Sequence, residues 1–537
     1  MNEIQSRGAS GNRHVLGRAA GRVLVAGMVA VALGGCVVGP AYHRPDIPLP
    51  QAWRVPAGTA DAVVNTAWWK GFQDPDLDAL IKQAIDANMD LLQATARVRQ
   101  YEAKLDVASG ARYPEATYDI GAERRHYSTA HPTALGILNE PTQNDFGVGI
   151  GLNWELDIWG KLKRADQAAL ADLLSSQYAR HAVMLTVVTN VATSYFQLLA
   201  LDDQLRLAQQ TLRNRGAALN LIENRYKGGS SSKMAVLQAR SAVDEVWVAI
   251  PDLERQIAVL EDAMSILVGR NPGKIIRHRD DEPALPPVPG GVPSDVLSRR
   301  PDVLAAEQQL VGANARIGVA KAALFPSISL TGMFGVASNA LDTLTDGDAT
   351  EASIGLGLLG PIFAGGRLKA GIREAEAYQQ ELLVKYRQTV LTALGNVDDA
   401  LTFNVKANEI ARRGEQQVAT LNDRLHLSEV RYNGGQADYL EVLTAERDLY
   451  NAQAQQVDRH RDTYLAMVSI YGAMGGGWMV EQDKLRAADK QDTASAAQSK
   501  PTTTNPGGKG APAAAAPAAA MPASAPPTKV KSPESAQ

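Results

Sequence analysis

The 537-residue chain has a single cysteine, Cys36, and eight scattered histidines. One cysteine excludes a disulfide within the chain and any metal cage built from several thiolates. The histidines form no His-x-x-Glu-His motif, so the sequence offers no recognisable zinc site. Basic residues are not in excess either, because the formal net charge is −4. Nothing in this balance resembles the basic surface of a nucleic-acid-binding protein.

Long apolar runs are also missing. The N-terminal 35 residues are rich in arginine and contain an apolar run from Val23 to Leu33. A basic region before a short apolar run is typical of a secretory signal peptide. The run is too short to cross a bilayer, which takes ~20 apolar residues as a helix. Because no later stretch reads as a transmembrane helix, we expect membrane attachment through β-strands or a covalent anchor.

Cys36 directly follows the apolar run, in the sequence Leu33-Gly34-Gly35-Cys36. This arrangement resembles a bacterial lipobox, in which small residues precede a cysteine whose thiol carries a diacylglycerol and whose amine, freed by cleavage, takes a third acyl chain. Several acyl chains anchor a protein stably, whereas one chain binds only marginally. The alternative is a buried structural thiol, which the position of Cys36 disfavours. Val37, rather than aspartate, comes next, and by resemblance to bacterial lipoproteins this favours sorting to the outer membrane.

The chain contains an internal duplication. Three segments recur in the same order with a constant offset of 206 residues, which indicates two copies of one structural plan. The matching pairs are Arg225–Gly229 with Arg431–Gly435, Val236–Ala239 with Val442–Ala445, and Gly160–Leu162 with Gly366–Leu368. Each copy is predicted to contain a helix, two strands, a long helix, a glycine turn and another helix.

Four segments alternate between apolar and small or polar residues, as β-strands with one apolar face do. They lie at about residues 116–126, 146–154, 328–336 and 354–358. The pattern fits strands of a membrane barrel with a wet lumen. A soluble antiparallel sheet with one buried face gives the same alternation. Four strands cannot close a single-chain membrane barrel, and open edges cannot face lipid, so the barrel interpretation requires several chains.

The predicted helices are long. No proline interrupts residues 165–226, and apolar residues there keep steps of three and four. In the second copy Leu443, Tyr450, Val457, Tyr464 and Tyr471 recur at every seventh position. Sustained heptad spacing predicts helices that pack side by side as coiled coils.

From Cys36 to about Trp478 the chain resembles TolC-type outer-membrane efflux proteins, specifically the lipoprotein branch that includes NodT and OprM. Several short motifs carry the resemblance in the expected order. They are Cys36-Val37-Val38-Gly39-Pro40, Trp68-Trp69, Asp74-Pro75, Asn88 with Asp90-Leu91, Pro361-Ile362-Phe363, and the two Arg-Tyr-glycine turns.

The resemblance implies a mixed α/β membrane protein that forms a trimer. Twelve strands, four from each chain, would form an outer-membrane β-barrel continuous with a long coiled-coil α-barrel in the periplasm. The glycine turns would lie at the periplasmic tip, where an adaptor protein docks and links the duct to an inner-membrane pump, expected to be of the RND type. The residues predicted for docking are Arg225, Tyr226, Gly228, Gly229, Gly434 and Gly435.

A periplasmic gate is also implied by the resemblance. In the family, acidic residues after the second turn form rings at the constriction. The matching positions here are Glu441, which keeps the charge, and Thr444, which has lost it; Asp438 lies one helical turn earlier. Tyr432, Arg431 and Arg447 match positions that could bond between helices and hold the gate shut. The alternative for these charged residues is a solvated helix face with ordinary pairing.

The sequence thus predicts a signal peptide (1–35), a lipidated segment (36–75), a first repeat (76–275), a linker (276–300), a second repeat (301–475) and a disordered Ala/Pro-rich tail (476–537). The expected function is a passive exit duct for small molecules, driven by an inner-membrane pump. It needs no enzymatic site and no cofactor besides the lipid. A pore-free periplasmic scaffold is the competing interpretation, and the duplicated hairpin argues against an adaptor protein.

Overall fold

The structure is a computed structural model that describes residues 37–55, 67–127, 142–278, 282–290, 293 and 298–476. The predicted signal peptide, Cys36 and residues 477–537 of the predicted tail lie outside the described residues.

Long helices and four β-strands make up most of the described chain. In order along the sequence, they are α1 (Pro75–Ala87), α2 (Met89–Gly110), β1 (Glu115–His126), β2 (Thr142–Leu156), α3 (Lys161–Lys227), α4 (Lys233–Leu267), α5 (Pro301–Ala322), β3 (Ser327–Ser338), β4 (Thr350–Leu359), α6 (Arg367–Asn433) and α7 (Tyr439–Ala473). Short 3-10 helices span Trp68–Phe72 and Gly347–Ala349.

The predicted duplication is confirmed by the helix lengths. The paired helices α3 and α6 have 67 residues each, α4 and α7 have 35 each, and α2 and α5 have 22 each. A 67-residue helix is ~100 Å long at 1.5 Å per residue. Each copy therefore builds a long helical hairpin, α3 with α4 and α6 with α7.

The four strands form one antiparallel sheet in the order β1-β2-β3-β4. Residues directly opposite each other in an antiparallel pair point to the same face. One row of paired residues, Ile120, Val148 and Val336, is apolar. The neighbouring row on the other face pairs Gly149 with Gly335. The register therefore gathers the apolar residues of the strands on one face and small or polar residues on the other, as the alternation predicted.

The two outer strands leave their far edges unpaired within the described part of the chain. β1 pairs only with β2, and β4 pairs only with β3. An unpaired strand edge presents a row of backbone N–H and C=O groups that seek a partner. The sheet is thus an open segment that a further strand can extend on each side.

Aromatic residues form the main core where the N-terminal segment meets the hairpins. Trp68 is 3% exposed and stacks on Tyr471, with ring centroids 5.1 Å apart. Phe196 of α3 stacks on Tyr464 of α7, with centroids 4.7 Å apart. Trp69 is also buried, so both tryptophans are core packing residues. Two of the heptad tyrosines thus join α7 to α3 and to the N-terminal segment.

One expectation about the helices is wrong. An 18-residue window of Lys161–Lys227 is long and apolar enough to cross a membrane, although the sequence predicts no such stretch beyond the leader. The reason lies in packing, since 56% of that window is buried inside the protein. Its apolar residues Val188, Val191 and Tyr195 are fully buried. The window therefore has the composition of a core helix.

Candidate functional site

The two hairpin turns have the same backbone geometry. In the first, Gly229 adopts φ 74° and Ser230 N–H donates to the Arg225 carbonyl at 2.8 Å. In the second, Gly435 adopts φ 71° and Gln436 N–H donates to the Arg431 carbonyl at 2.9 Å. Left-handed φ values cost little only for glycine. The glycines recognised in the sequence are therefore the residues that allow each long helix to reverse.

The two tips pack against each other in a small apolar cluster. It contains Ile222 and Val236 from the first hairpin and Tyr439 and Val442 from the second. The ring of Tyr432 lies against that of Tyr439, with centroids 5.4 Å apart. The tip of the chain is thus a single packed unit, separate from the main aromatic core.

Glu441 lies at the start of α7 and pairs with Arg431, whose Nη1 donates to Glu441 Oε1 at 2.6 Å. Their side chains are 36% and 45% exposed, respectively. The structure brings together these two predicted gate residues from the opposite sides of the second turn. An arginine thus holds the candidate gate carboxylate in a defined position.

The other predicted gate residues have different surroundings. Asp438 is exposed at the N-cap of α7, and its side chain makes no capping hydrogen bond. Thr444 donates its hydroxyl to the Leu440 carbonyl at 2.8 Å, within its own helix. Arg447 lies 3.4 Å from Asp448, its neighbour in sequence, and bridges no helices within the described part of the chain. The bridge between α6 and α7 at this level comes instead from Arg424, 2.8 Å from Asp448.

Sequence reasoning missed a buried charged cluster farther from the turns. Arg215 of α3 is 4% exposed, donates to Glu245 of α4 at 3.0 Å and lies under the ring of Tyr450 of α7. Glu446 of α7 is close enough to Arg215 for electrostatic attraction, and burial raises the pKa of its carboxyl group. A helical projection from the buried Val442 places Glu446 four residues on, on the same face. This spacing in the sequence was the signal that could have predicted a buried position for Glu446.

The N-terminal segment docks where the sheet meets the helices. Val38 N–H donates to the Trp159 carbonyl at 3.1 Å, and Arg164 Nε donates to the Val38 carbonyl at 3.3 Å. Gly39 lies so close to Gly318 of α5 that a Cβ on Gly39 would sit 2.5 Å from the Gly318 Cα. Val37 therefore lies at the base of the four-stranded sheet, and Cys36 is its neighbour in the chain.

No group of three or more potential metal ligands occurs among the residues that the structure describes. Glu123 and His126 have a Glu-x-x-His spacing, but both lie in strand β1. Residues three apart in a strand point to opposite faces. Glu123 instead pairs with Arg125 at 2.7 Å, and His126 Nδ1 lies 2.8 Å from the Thr142 hydroxyl. This spacing does not build a metal site.

The structure combines a β-sheet that has one apolar face with two repeated helical hairpins whose tips pack together. This combination defines the class of outer-membrane channel proteins. The chain belongs to the outer membrane efflux protein family, whose sequence model matches residues 80–270 and 292–476.

Individual relatives agree with this assignment. The pyoverdine export outer membrane protein OpmQ of Pseudomonas putida is 35% identical over 439 residues, covering 80% of this chain and 93% of that protein. The probable outer membrane lipoprotein SilC of Salmonella typhimurium is 32% identical over 459 residues, covering 83% and 97%. The crystal structure of CusC, described as forming a transmembrane channel, matches with a TM-score of 0.75 and 30% identity, over 82% of this chain and 100% of that one.

These similarities confirm the predicted family, the fold class and the outer-membrane location. They also confirm the predicted function: the protein is the outer-membrane channel of an efflux system and extends into the periplasm. OpmQ and CusC are both transport proteins.

Proposed function

We propose that three copies of this chain form one duct, a twelve-stranded β-barrel continuous with a periplasmic α-barrel. The observation that carries the proposal is the four-stranded sheet with unpaired outer edges in the described part of the chain. Single-chain membrane barrels start at eight strands, and no open strand edge is tolerated in lipid. Pairing β4 of one chain with β1 of the next satisfies every edge when three chains close the ring.

The duct is anchored through an acylated Cys36, with residues 1–35 removed as a signal peptide. Support comes from Val37 and Val38, which dock beside Trp159 and Gly160 at the base of the sheet. An acyl chain on the preceding cysteine would lie at the level where the strands enter the membrane. The relative SilC is named a probable lipoprotein, which agrees with this anchor.

The periplasmic tip acts as a gate. Three-fold symmetry would bring three copies of Glu441 and Asp438 near one axis, and like charges at short range repel. Cations would relieve that repulsion and bind there. Arg431 limits the effect, because it already pairs with Glu441 at 2.6 Å. Tyr432 contributes packing against Tyr439, while Thr444 adds no charge.

The gate opens through contact with a periplasmic adaptor that binds the two turns. Tyr226 is 43% exposed, and Gly228, Gly229, Gly434 and Gly435 are exposed beside it. Arg225 supplies a cation at the same surface, over the Tyr432 ring. An inner-membrane pump, expected to be of the RND type, supplies the energy. The duct itself conducts small molecules passively through a lumen lined by the glycine-rich face of the sheet.

Electron microscopy of the purified full-length protein tests this proposal. Hollow three-fold particles roughly 130–150 Å long are expected, because ~100 Å helices continue into a barrel that crosses a ~30 Å membrane core. Single chains, or solid rods without a lumen, would instead favour a pore-free scaffold and overturn the duct.

A further inference from the structure

A second charged cluster lies between the hairpins, and its Glu446 stands five residues after Glu441 in α7. Arg215 stands 13 residues before Gly228 in α3, which places it ~20 Å along the helix from the turn. It faces the part of α7 that carries Glu446 and Tyr450. We call this contact between α3 and α7 the seam. Any motion that separates the first hairpin from the second must open it.

The hydrogen bonds of the seam are incomplete. Arg215 Nη1 donates to the Ala242 carbonyl at 2.7 Å and to Glu245 Oε2 at 3.0 Å, both on α4. The Nε of Arg215 is buried without a partner in the described part of the chain, and so is Oε2 of Glu446. A buried polar atom without a hydrogen bond has lost its contacts with water and gained no partner in return. The closed seam therefore holds two unsatisfied polar groups that water would satisfy.

One cation and one carboxylate act on Glu446. Arg215 attracts it from α3, but that guanidinium already pairs with Glu245. Glu429 of α6 repels it. Within α7, Arg215 also acts on the hydroxyl groups of Tyr439 and Tyr450, and Arg447 and Asp448 follow Glu446 directly in the chain. Burial first, and then Glu429, raise the pKa of the Glu446 carboxyl above that of an exposed glutamate.

We propose that the seam is a proton-linked latch, in which Glu446 is packed between the hairpins in its neutral form and releases its proton to water when the hairpins part. The latch rests on the proposed gate at the tip, and Glu446 is the group that couples the opening of that gate to pH. A neutral carboxyl group loses less on burial than a carboxylate does. Arg215 keeps its own counter-ion in Glu245, so protonation of Glu446 leaves no unpaired cation.

The sign of the pH dependence follows from the raised pKa. A carboxyl group with a higher pKa in the closed state than in water binds its proton more tightly there. The closed state therefore gains stability below the ordinary glutamate pKa of 4.5 and loses that gain as the pH rises through the raised value. Between those two pKa values the closed-to-open ratio changes by up to about tenfold per pH unit for one proton.

Single-channel recording of the full-length protein in planar bilayers measures this coupling directly. The open fraction is followed while the periplasmic side is titrated from about pH 7.5 to about pH 4.5. The wild type should open less as the pH falls. Glu446→Gln, a permanently neutral mimic, should open rarely at every pH, and Glu446→Asp should regain a pH response.

The matched control is Glu409→Gln, which removes an equal charge from α6 where Lys406 and Arg413 pair with it at 2.9 and 3.0 Å. It should keep the wild-type pH response. A pH-independent wild type, or an unchanged response in Glu446→Gln, would overturn the latch. Microscopy of the same samples separates the two proposals: absent hollow particles refute the proposed duct, whereas intact particles with an unchanged response refute only the latch.

Discussion

The guanidinium of Arg225 lies over the ring of Tyr432, 5.6 Å from its centroid, and joins the turn of one repeat to the turn of the other. The 206-residue offset makes Arg431 the counterpart of Arg225, yet Arg431 pairs with Glu441 instead. The counterpart of Glu441 in the first repeat is the buried Ala235. The duplicated turns keep one backbone geometry but differ in charge, and only the second carries an acid at this position.

Removing the gate acids should weaken cation block. In the double variant Glu441→Gln with Asp438→Asn, we expect hexaamminecobalt(III), added from the periplasmic side, to bind about tenfold more weakly, because the lost carboxylates together remove ~1.4 kcal/mol of solvent-screened attraction to a trivalent ion. The control is Glu223→Gln, which removes a carboxylate paired with Arg240 in the first hairpin. The cation should block this variant as strongly as it blocks the wild type. Unchanged block in the double variant would refute the acidic gate.

Breaking the bridge at the tip should favour the open channel modestly. Arg431→Met removes a pair whose side chains are both partly exposed, and such pairs contribute ~0.2–1 kcal/mol. The open-to-closed ratio in single-channel records should therefore rise by no more than about fivefold. The charge-swapped variant Arg431→Glu with Glu441→Arg should return the ratio towards the wild-type value. If the swap behaved like the single variant, the bridge would not be what holds the tip.

A buried hydrogen bond anchors the N-terminal segment to the first hairpin. Tyr195 donates its hydroxyl to Asp74 Oδ2 at 2.7 Å, while Asp74 Oδ1 caps α1 by accepting from Asp76 and Leu77 N–H. Tyr195→Phe should lower the free energy of unfolding by ~1–3 kcal/mol, because the Asp74 carboxylate loses a buried partner. Denaturant unfolding measures the change. Tyr113→Phe, at a site that is 72% exposed, should have almost no effect, and equal losses in both variants would contradict the prediction.

Replacing the acylation site should abolish lipid attachment. Cys36→Ser removes the only thiol of the chain, so cells grown with radioactive palmitate should yield labelled wild type and unlabelled variant. The docking of Val38 on Trp159 does not involve the thiol, so the variant should still fold. Label retained on the variant would refute the anchor.

The sequence predicted the features that depend on local pattern. Alternation located all four strands, the absence of proline located α3, and the repeated glycine turns paired α3 with α6 because each pattern is set by neighbours in the chain. Domain boundaries and the roles of the gate residues stay predictions. The constant offset was sufficient to predict which elements of the two repeats correspond, without knowledge of contacts between distant residues.

Contacts between distant parts of the chain were not predictable. Arg44 pairs with Glu307 at a separation of 263 residues, with 2.5 Å between Nη2 and Oε2. Arg215 and Glu446 meet only after two hairpins pack. Spacing gives no information on such pairs, because they depend on which helix faces lie together. For the same reason the sequence pointed to Arg447 as a partner between helices, whereas Arg424 is the arginine that pairs with Asp448 across α6 and α7.

The free edges of β1 and β4 constrain how the protein is made. A lone chain that entered the membrane would expose two rows of unsatisfied backbone groups to hydrocarbon, at several kcal/mol per group. Insertion therefore has to wait until the neighbours are present. Protomers would gather in the periplasm first, so the yield of finished channels should depend steeply on the concentration of unassembled chains. A chain with one damaged edge strand would prevent closure of the barrel in every complex that it joins.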